Sequence, residues 1–214
     1  MKPRLLDLFA GAGGASMGYH HAGFDVTGVD LFPQPHYPFR FIQADAIHYL
    51  AEHWQEYDVV HASPPCQRWS QMSKCRPEIA EKYPDLIAPT RALLDLTGLP
   101  YVLENVPGAP LRPDVTLCGR MFGLKLYRHR VFEANFDIGQ PKHPRHLTPG
   151  GRAGHWRPGE IISVSGHCSP IALAREAMGI DWMNRHELAE SIPPDYTVFV
   201  GHMLQDHLMV VAAA

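Results

Sequence analysis

The stretch Ser63-Pro64-Pro65-Cys66-Gln67-Arg68-Trp69-Ser70 concentrates more reactive chemistry than any other part of the chain. A cysteine thiol becomes a nucleophile when its proton is removed or its target is desolvated. Here it follows two prolines, which lock φ, donate nothing to a strand ladder and restrict the residue before them. They turn the chain out of the apolar run at 57–62 and hold Cys66 on a stiff loop. A lone cysteine would read as a small apolar filler, but other groups argue against that. Glu104 comes directly after the apolar run Tyr101-Val102-Leu103, an unusual place for a merely solvated charge. Arg128 and Arg130 alternate along 127–132, which reads as a strand that presents both on one face.

A second group of residues points to a nucleoside. Residues 4–9 read as a buried parallel strand, and Ala10-Gly11-Ala12-Gly13-Gly14 follows at once and opens a helix through His20. Glycines in such a turn let backbone amides approach a ligand at a helix amino end. A second strand, 25–29, ends in Asp30, which is placed to accept both hydroxyls of a ribose. The glycines are not spaced as Gly-x-Gly-x-x-Gly, which argues against a pyrophosphate and favours a nucleoside such as S-adenosylmethionine. A third strand, 39–43, leads to Asp45, which can accept from an adenine amino group, cap the helix at 46–54, or do both.

With a sulfonium donor, these side chains suit methylation of carbon 5 of cytosine. Thiolate attack at carbon 6 makes carbon 5 enamine-like. An acid at ring nitrogen 3 and an arginine at oxygen 2 stabilise the charge that develops, and loss of the carbon 5 proton expels the cysteine.

The elements that must position these groups come from the rest of the chain. Its 214 residues, 45% hydrophobic and 19% charged, suffice for one filled core with a small appendage. Four cysteines with no Cys-x-x-Cys pair give neither a disulfide framework nor a zinc ribbon. His155, His167 and Cys168 fit no common metal spacing, so no metal is expected. No apolar run is long enough for a membrane span and the start lacks a signal-peptide core, so a cytoplasmic setting is expected. The net charge of −3 makes no global case for nucleic acid. Locally, however, residues 125–157 hold seven lysines and arginines against Glu133 and Asp137, which suits a polyanion. Pro and Gly interrupt 135–160, an irregular insertion. Helices are expected at 77–97 (with breaks near Pro84 and Pro89), 172–178, 185–191 and the apolar end, with a strand at 161–164. The fold class is α/β, a doubly wound Rossmann-like sheet.

Four blocks, in order, resemble the DNA (cytosine-5)-methyltransferases. They are Asp7-Leu8-Phe9-Ala10-Gly11-Ala12-Gly13-Gly14, Pro64-Pro65-Cys66-Gln67 with Ser70, Glu104-Asn105-Val106, and Arg128-His129-Arg130. The resemblance implies a class I methyltransferase sheet, with 1–133 as the S-adenosylmethionine-binding core, 134–160 as a reduced target-recognition insert and 161–214 rejoining the core. It implies Cys66 as nucleophile, Glu104 on ring nitrogen 3, Arg130 or Arg128 at the base, and Asn105 as a brace for the nucleophile loop. Phe9, Gly11, Gly13, Asp30, Leu31, Asp45, Pro64 and His202 would line the cofactor site. Gln67, Ser70, Lys142, Arg145, Arg152 and Arg157 would meet DNA, from which such enzymes extrude the target base. The family also implies a place in restriction–modification.

The chain departs from the family pattern in three places. Leu126 stands where a glutamine is common, Gly201-His202 replaces a Gly-Asn pair, and the insert is far shorter than a usual recognition domain. Short or relaxed specificity follows, or a second subunit that supplies it. Alternatives on the same fold are an RNA cytosine substrate, a modified sulfonium donor, or an idle DNA-binding scaffold. Intact Cys66, Glu104, Arg128 and Arg130 speak against the last.

Overall fold

Five short apolar runs form the parallel part of a seven-stranded sheet in the computed structural model, which describes residues 2–69, 78 and 82–213. They are β1 (Arg4–Leu8), β2 (Asp25–Asp30), β3 (Arg40–Gln43), β4 (Val59–Ala62) and β5 (Tyr101–Asn105). Strands β6 (Val115–Leu117) and β7 (Arg130–Ala134) complete the order β3-β2-β1-β4-β5-β7-β6, with β7 antiparallel to both its neighbours. Runs such as Val59-Val60-His61-Ala62 do not alternate with polar residues because both faces of the sheet are covered. On one face α1 (Gly14–His21) and α6 (Pro194–Ala213) pack Tyr19, Tyr196, Val200 and Leu204 against Leu5 and Val26. On the other, α2 (Ala46–His53) and α3 (Ile87–Thr97) bring Leu50 and Leu94 onto Leu6, Val60 and Leu103. The sheet is therefore doubly wound.

Helices α1 and α6 meet almost backbone to backbone. A methyl group at Gly18 would stand 2.1 Å from the Pro194 carbonyl oxygen and 2.0 Å from Thr197 Oγ1. A third apolar cluster joins α4 (Ile171–Met178) and α5 (Arg185–Glu190) to Leu126, Ile162 and Val164 beside the sheet's carboxyl edge. Strand order reverses between β1 and β4, and open α/β sheets form their ligand crevice at that switch point. Among the described residues no helix is long and apolar enough to cross a membrane.

Several sequence expectations need correction. Residues 161–164 form no strand; only Ile161 makes a single bridge, to Gly150, because their apolar side chains are used by the third cluster. Arg128 precedes β7, so the two arginines do not share a strand face. Pro89 does not break α3. It is the third helical residue, where an amide has no intrahelical partner to lose. Ile79 of the expected 77–97 helix lies outside the described residues. Strand β6, only three residues long, is too short to show a period in sequence.

Candidate active site

A cleft of about 630 Å³ opens at the switch point. Its first lobe is built from the ends of β1, β2 and β3. Phe9 leaves β1 with φ 58°, a left-handed backbone rare outside glycine, and Gly11 continues with φ 49°. The turn is held because Gly11 N donates to Asp30 Oδ2 and Phe32 N donates to Asp30 Oδ1, both at 3.0 Å. A carboxylate has about four acceptor sites, so Asp30 keeps capacity for two further donors. Asp45 Oδ1 accepts from His48 N at 2.9 Å and caps α2, while the side chain also lines the cleft. Leu31 and Phe32 stand 57% and 67% exposed at the rim, an apolar plate beside the acceptors of Asp30. Trp182 Nε1 donates to Ala12 O at 2.9 Å and ties the glycine-rich turn to the carboxyl-terminal third of the chain.

The second lobe holds the thiol. After β4, Ser63 N donates to Leu8 O at 3.2 Å, Pro64 and Pro65 turn the chain, and Trp69 N closes on Cys66 O at 2.9 Å. Asn105 Nδ2, buried at the end of β5, donates to Pro64 O at 2.8 Å and so fixes this loop to the sheet. Cys66, Glu104 and Arg130 line the same cleft wall. Arg130 Nε is 3.0 Å from Glu104 Oε1, both side chains nearly buried. Burial pushes the Glu104 carboxyl up, against the pull of Arg130 and Arg128. Burial also pushes the Cys66 thiol up; Arg130 and Arg128 draw it down, and the Glu104 charge adds to the rise.

Arg128 stands apart from this wall. Its guanidinium donates to the carbonyls of Val164 and Ala189, so it braces the carboxyl-terminal segment against β7. Burial lowers it to about 9. Of the other expected site residues, Leu31, Pro64 and Gln67 line the cleft. Gly13 is the left-handed residue before α1, and it lies behind the cleft against Tyr37 and Pro38. His202 is exposed on α6 and is not among the residues that line the cleft. Lys142, Arg145, Arg152 and Arg157 are exposed along the insert, and Ser70 lies outside the described residues. A separate open depression of about 730 Å³ at Arg112, Asp114 and 134–140 contains no cysteine or histidine.

Residues 3–112 match the sequence model of the C-5 cytosine-specific DNA methylases. The chain belongs to that family. The match takes in Phe9, Cys66 and Glu104 and ends before Arg128, Arg130 and the insert. Two curated relatives are similar over about half of the chain. The type II methyltransferase M.FnuDI of Fusobacterium nucleatum is 28% identical over 112 residues, 49% of this chain and 33% of its own length. M.XorII of Xanthomonas oryzae pv. oryzae is 30% identical over 128 residues, 50% of this chain and 29% of its own. The chain thus matches about a third of the length of either relative. Solved structures share its fold at low identity. A prophage-encoded E. coli protein described as a DNA modification methyltransferase has a TM-score of 0.64 at 14% identity, covering 97% of this chain and 100% of that one. Dnmt2 of S. pombe has 0.62 at 14%, covering 97% and 99%.

One wall of the cleft was not anticipated from sequence. Asn184, His186, Glu187, Glu190, Ser191 and Ile192 close it from α5. The Asn184-x-x-Glu187 capping box is legible as a helix start, and the structure shows both of its reciprocal bonds. Nothing in that pattern says which cavity the helix will face.

Proposed function

We propose that this cleft methylates carbon 5 of cytosine in DNA, using S-adenosylmethionine, through a covalent bond from Cys66 Sγ to cytosine carbon 6. One observation carries the reading: Cys66, Glu104 and Arg130 line the same cleft as Phe9, Gly11, Asp30 and Asp45. The first lobe fits a nucleoside-bearing donor, since it offers spare carboxylate acceptors at Asp30 beside the apolar Leu31 and Phe32. Asp30 and Asp45 would take the hydroxyls and the adenine edge. Such a donor supplies an electrophilic methyl group.

The chain's own residues do the rest. Burial favours the neutral form of Glu104, so it can place a proton on ring nitrogen 3 as Cys66 bonds to carbon 6. Arg130 steadies negative charge as it develops on oxygen 2 of the base and on the thiolate before attack. Once carbon 5 is methylated, loss of its proton to a water restores the ring double bond and expels Cys66 as the thiolate, and the nitrogen 3 proton returns to the Glu104 carboxylate. The exposed cations Lys142, Arg145, Arg152 and Arg157 supply phosphate contacts, which set register but carry little sequence information. A short recognised sequence follows from so small an insert.

The test uses tritiated S-adenosylmethionine and unmethylated duplex DNA, digested to nucleosides. Label is expected in 5-methyldeoxycytidine. DNA carrying 5-fluorocytosine is expected to trap the chain at Cys66, because fluorine cannot leave as the proton does. Label appearing in RNA and not in DNA would overturn the substrate, and turnover without a trapped Cys66 peptide would overturn the covalent step.

A further inference from the structure

We propose that Cys118, His129, His143 and His146 form a zinc site that staples the insert to the antiparallel edge of the sheet. The sheet register supplies the first two ligands. Leu117 pairs with Arg130 where β6 and β7 run antiparallel, so the next residues outward, Cys118 and His129, stand side by side. The other two come from His143-Pro144-Arg145-His146 in the insert, a His-x-x-His spacing whose second imidazole lies against the thiol. One ligand atom from each of the four lies within 4.8 Å of every other. Cys118 Sγ is 3.4 Å from His146 Nε2, and His129 Nε2 is 3.2 Å from His143 Nε2. Zinc–nitrogen bonds of about 2.0–2.1 Å and a zinc–sulfur bond of about 2.3 Å give tetrahedral edges of roughly 3.3–3.6 Å. Two of the six separations already match such edges, and none of the six exceeds 4.8 Å.

The donor set chooses the ion. One thiolate and three imidazoles without a carboxylate disfavour magnesium and calcium, and four protein ligands in a tetrahedron suit zinc in a structural role. Binding is balanced by one proton: Cys118 loses its thiol hydrogen, the imidazoles bind neutral, and the site gains a net charge of +1. The local structure gives the ion a task. Every residue of 142–150 is exposed, Leu147 at 86%, and the stretch has no helix or strand beyond one bridge at Gly150. Apart from the imidazoles, it is held by Tyr127, whose ring stacks on His146 at 3.8 Å and whose hydroxyl donates to Thr148 O at 2.7 Å, and at its far end by Ile161 N, which donates to Pro149 O at 2.8 Å. Ordering such a stretch costs conformational entropy that so few apolar contacts do not offset. A metal crosslink does offset it, and fixes where Lys142 and Arg145 stand.

The experiment is metal analysis of tag-free protein made in zinc-supplemented medium and dialysed against metal-free buffer. One zinc per chain is expected, falling at least tenfold in a His143→Ala/His146→Ala double variant whose circular dichroism is unchanged. Cobalt substitution should give a thiolate-to-cobalt charge-transfer band, lost in Cys118→Ser. Chelation should open the Lys142 and Arg145 peptide bonds to trypsin. Because both histidines of the double variant are exposed, it keeps the test valid if Cys118→Ser does not fold. Protein without stoichiometric zinc, or a folded double variant that retains it, overturns the proposal.

Discussion

Arg130 Nε stands 3.0 Å from Glu104 Oε1, yet that buried oxygen accepts no aligned hydrogen bond among the described residues. The contact is electrostatic, out of line for a hydrogen bond. It leaves a carboxyl oxygen with an open position in the wall that also carries Cys66. A buried polar atom left unpaired is costly in a purely structural role and useful in a site awaiting a ligand. Glu104→Gln is expected to lower turnover by about 10²–10⁴-fold, the usual span for a positioned acid, with little loss of stability. Single-turnover kinetics beside a melting curve checks this; lost stability with near-normal turnover would count against the acid role.

Arg130 is also the larger of the two cations drawing the Cys66 thiol down. Removing it as Arg130→Met takes away a favourable charge for the thiolate, so the thiol shifts further up and alkylates more slowly at any fixed pH below its pKa. The measurement is the pH dependence of iodoacetamide labelling of the Cys66 peptide by mass spectrometry. An unmoved or lowered midpoint would remove Arg130 from the electrostatics of the nucleophile.

Asn105 has both ends of its side-chain amide engaged, one on the loop and one on its own chain neighbour. Nδ2 donates to Pro64 O at 2.8 Å and Oδ1 accepts from Val106 N at 2.9 Å. Asn105→Ala leaves a buried carbonyl without its donor, at a cost of about 1–3 kcal/mol, and frees the segment that aims Cys66. Denaturant unfolding should show that loss, and turnover should fall although Cys66, Glu104 and Arg130 are intact. Full activity in the variant would show that the prolines alone hold the loop.

How much of this was legible depended on how local the signal was. Strands β1, β2, β4 and β5 are apolar runs bounded by Gly, Pro or Asp, so their positions could be read within two residues, and the cleft follows from their order. Asp45 was legible both as cap and as cleft residue because both roles depend on where α2 begins. The zinc-like cluster was not legible, since Cys118 and His129 become neighbours only through the β6–β7 pairing, and β6 is three residues long. Arg128 was misread for a related reason. The alternation with Arg130 assumed a strand that in fact starts at Arg130, and the partners of Arg128 are carbonyls far away in sequence, at Val164 and Ala189.

That placement gives Arg128 a testable role. Arg128→Met removes donors from two main-chain carbonyls between β7 and the α5 segment, and should destabilise the fold by about 2–3 kcal/mol. Turnover per folded molecule should survive. Urea unfolding and activity per folded molecule separate the two; a collapse of turnover at unchanged stability would return Arg128 to the reacting base.

The last prediction concerns two buried groups set side by side, Asp7 on β1 and His61 on β4, which are register partners. Each has one ring or carboxyl atom, Asp7 Oδ1 and His61 Nε2, without a hydrogen-bond partner among the described residues. Burial pushes Asp7 up from 3.8 to about 7, so the folded chain holds a proton that the unfolded chain has lost. Its contribution to stability therefore grows as pH falls from about 7 to about 4. Burial pushes His61 down from 6.5 to about 3, so the unfolded chain takes up a proton first and stability is lost as pH falls from 6.5 towards 3. The two effects oppose one another over most of that window, each limited to about 1.4 kcal/mol per pH unit. The wild-type chain should change little in stability over that range. Asp7→Asn, which can still accept from Ser16 Oγ, should lose stability steeply on acidification, and His61→Gln should gain it. Denaturant midpoints at three values of pH decide the matter, and parallel behaviour of both variants with the wild type would show that neither group titrates on unfolding.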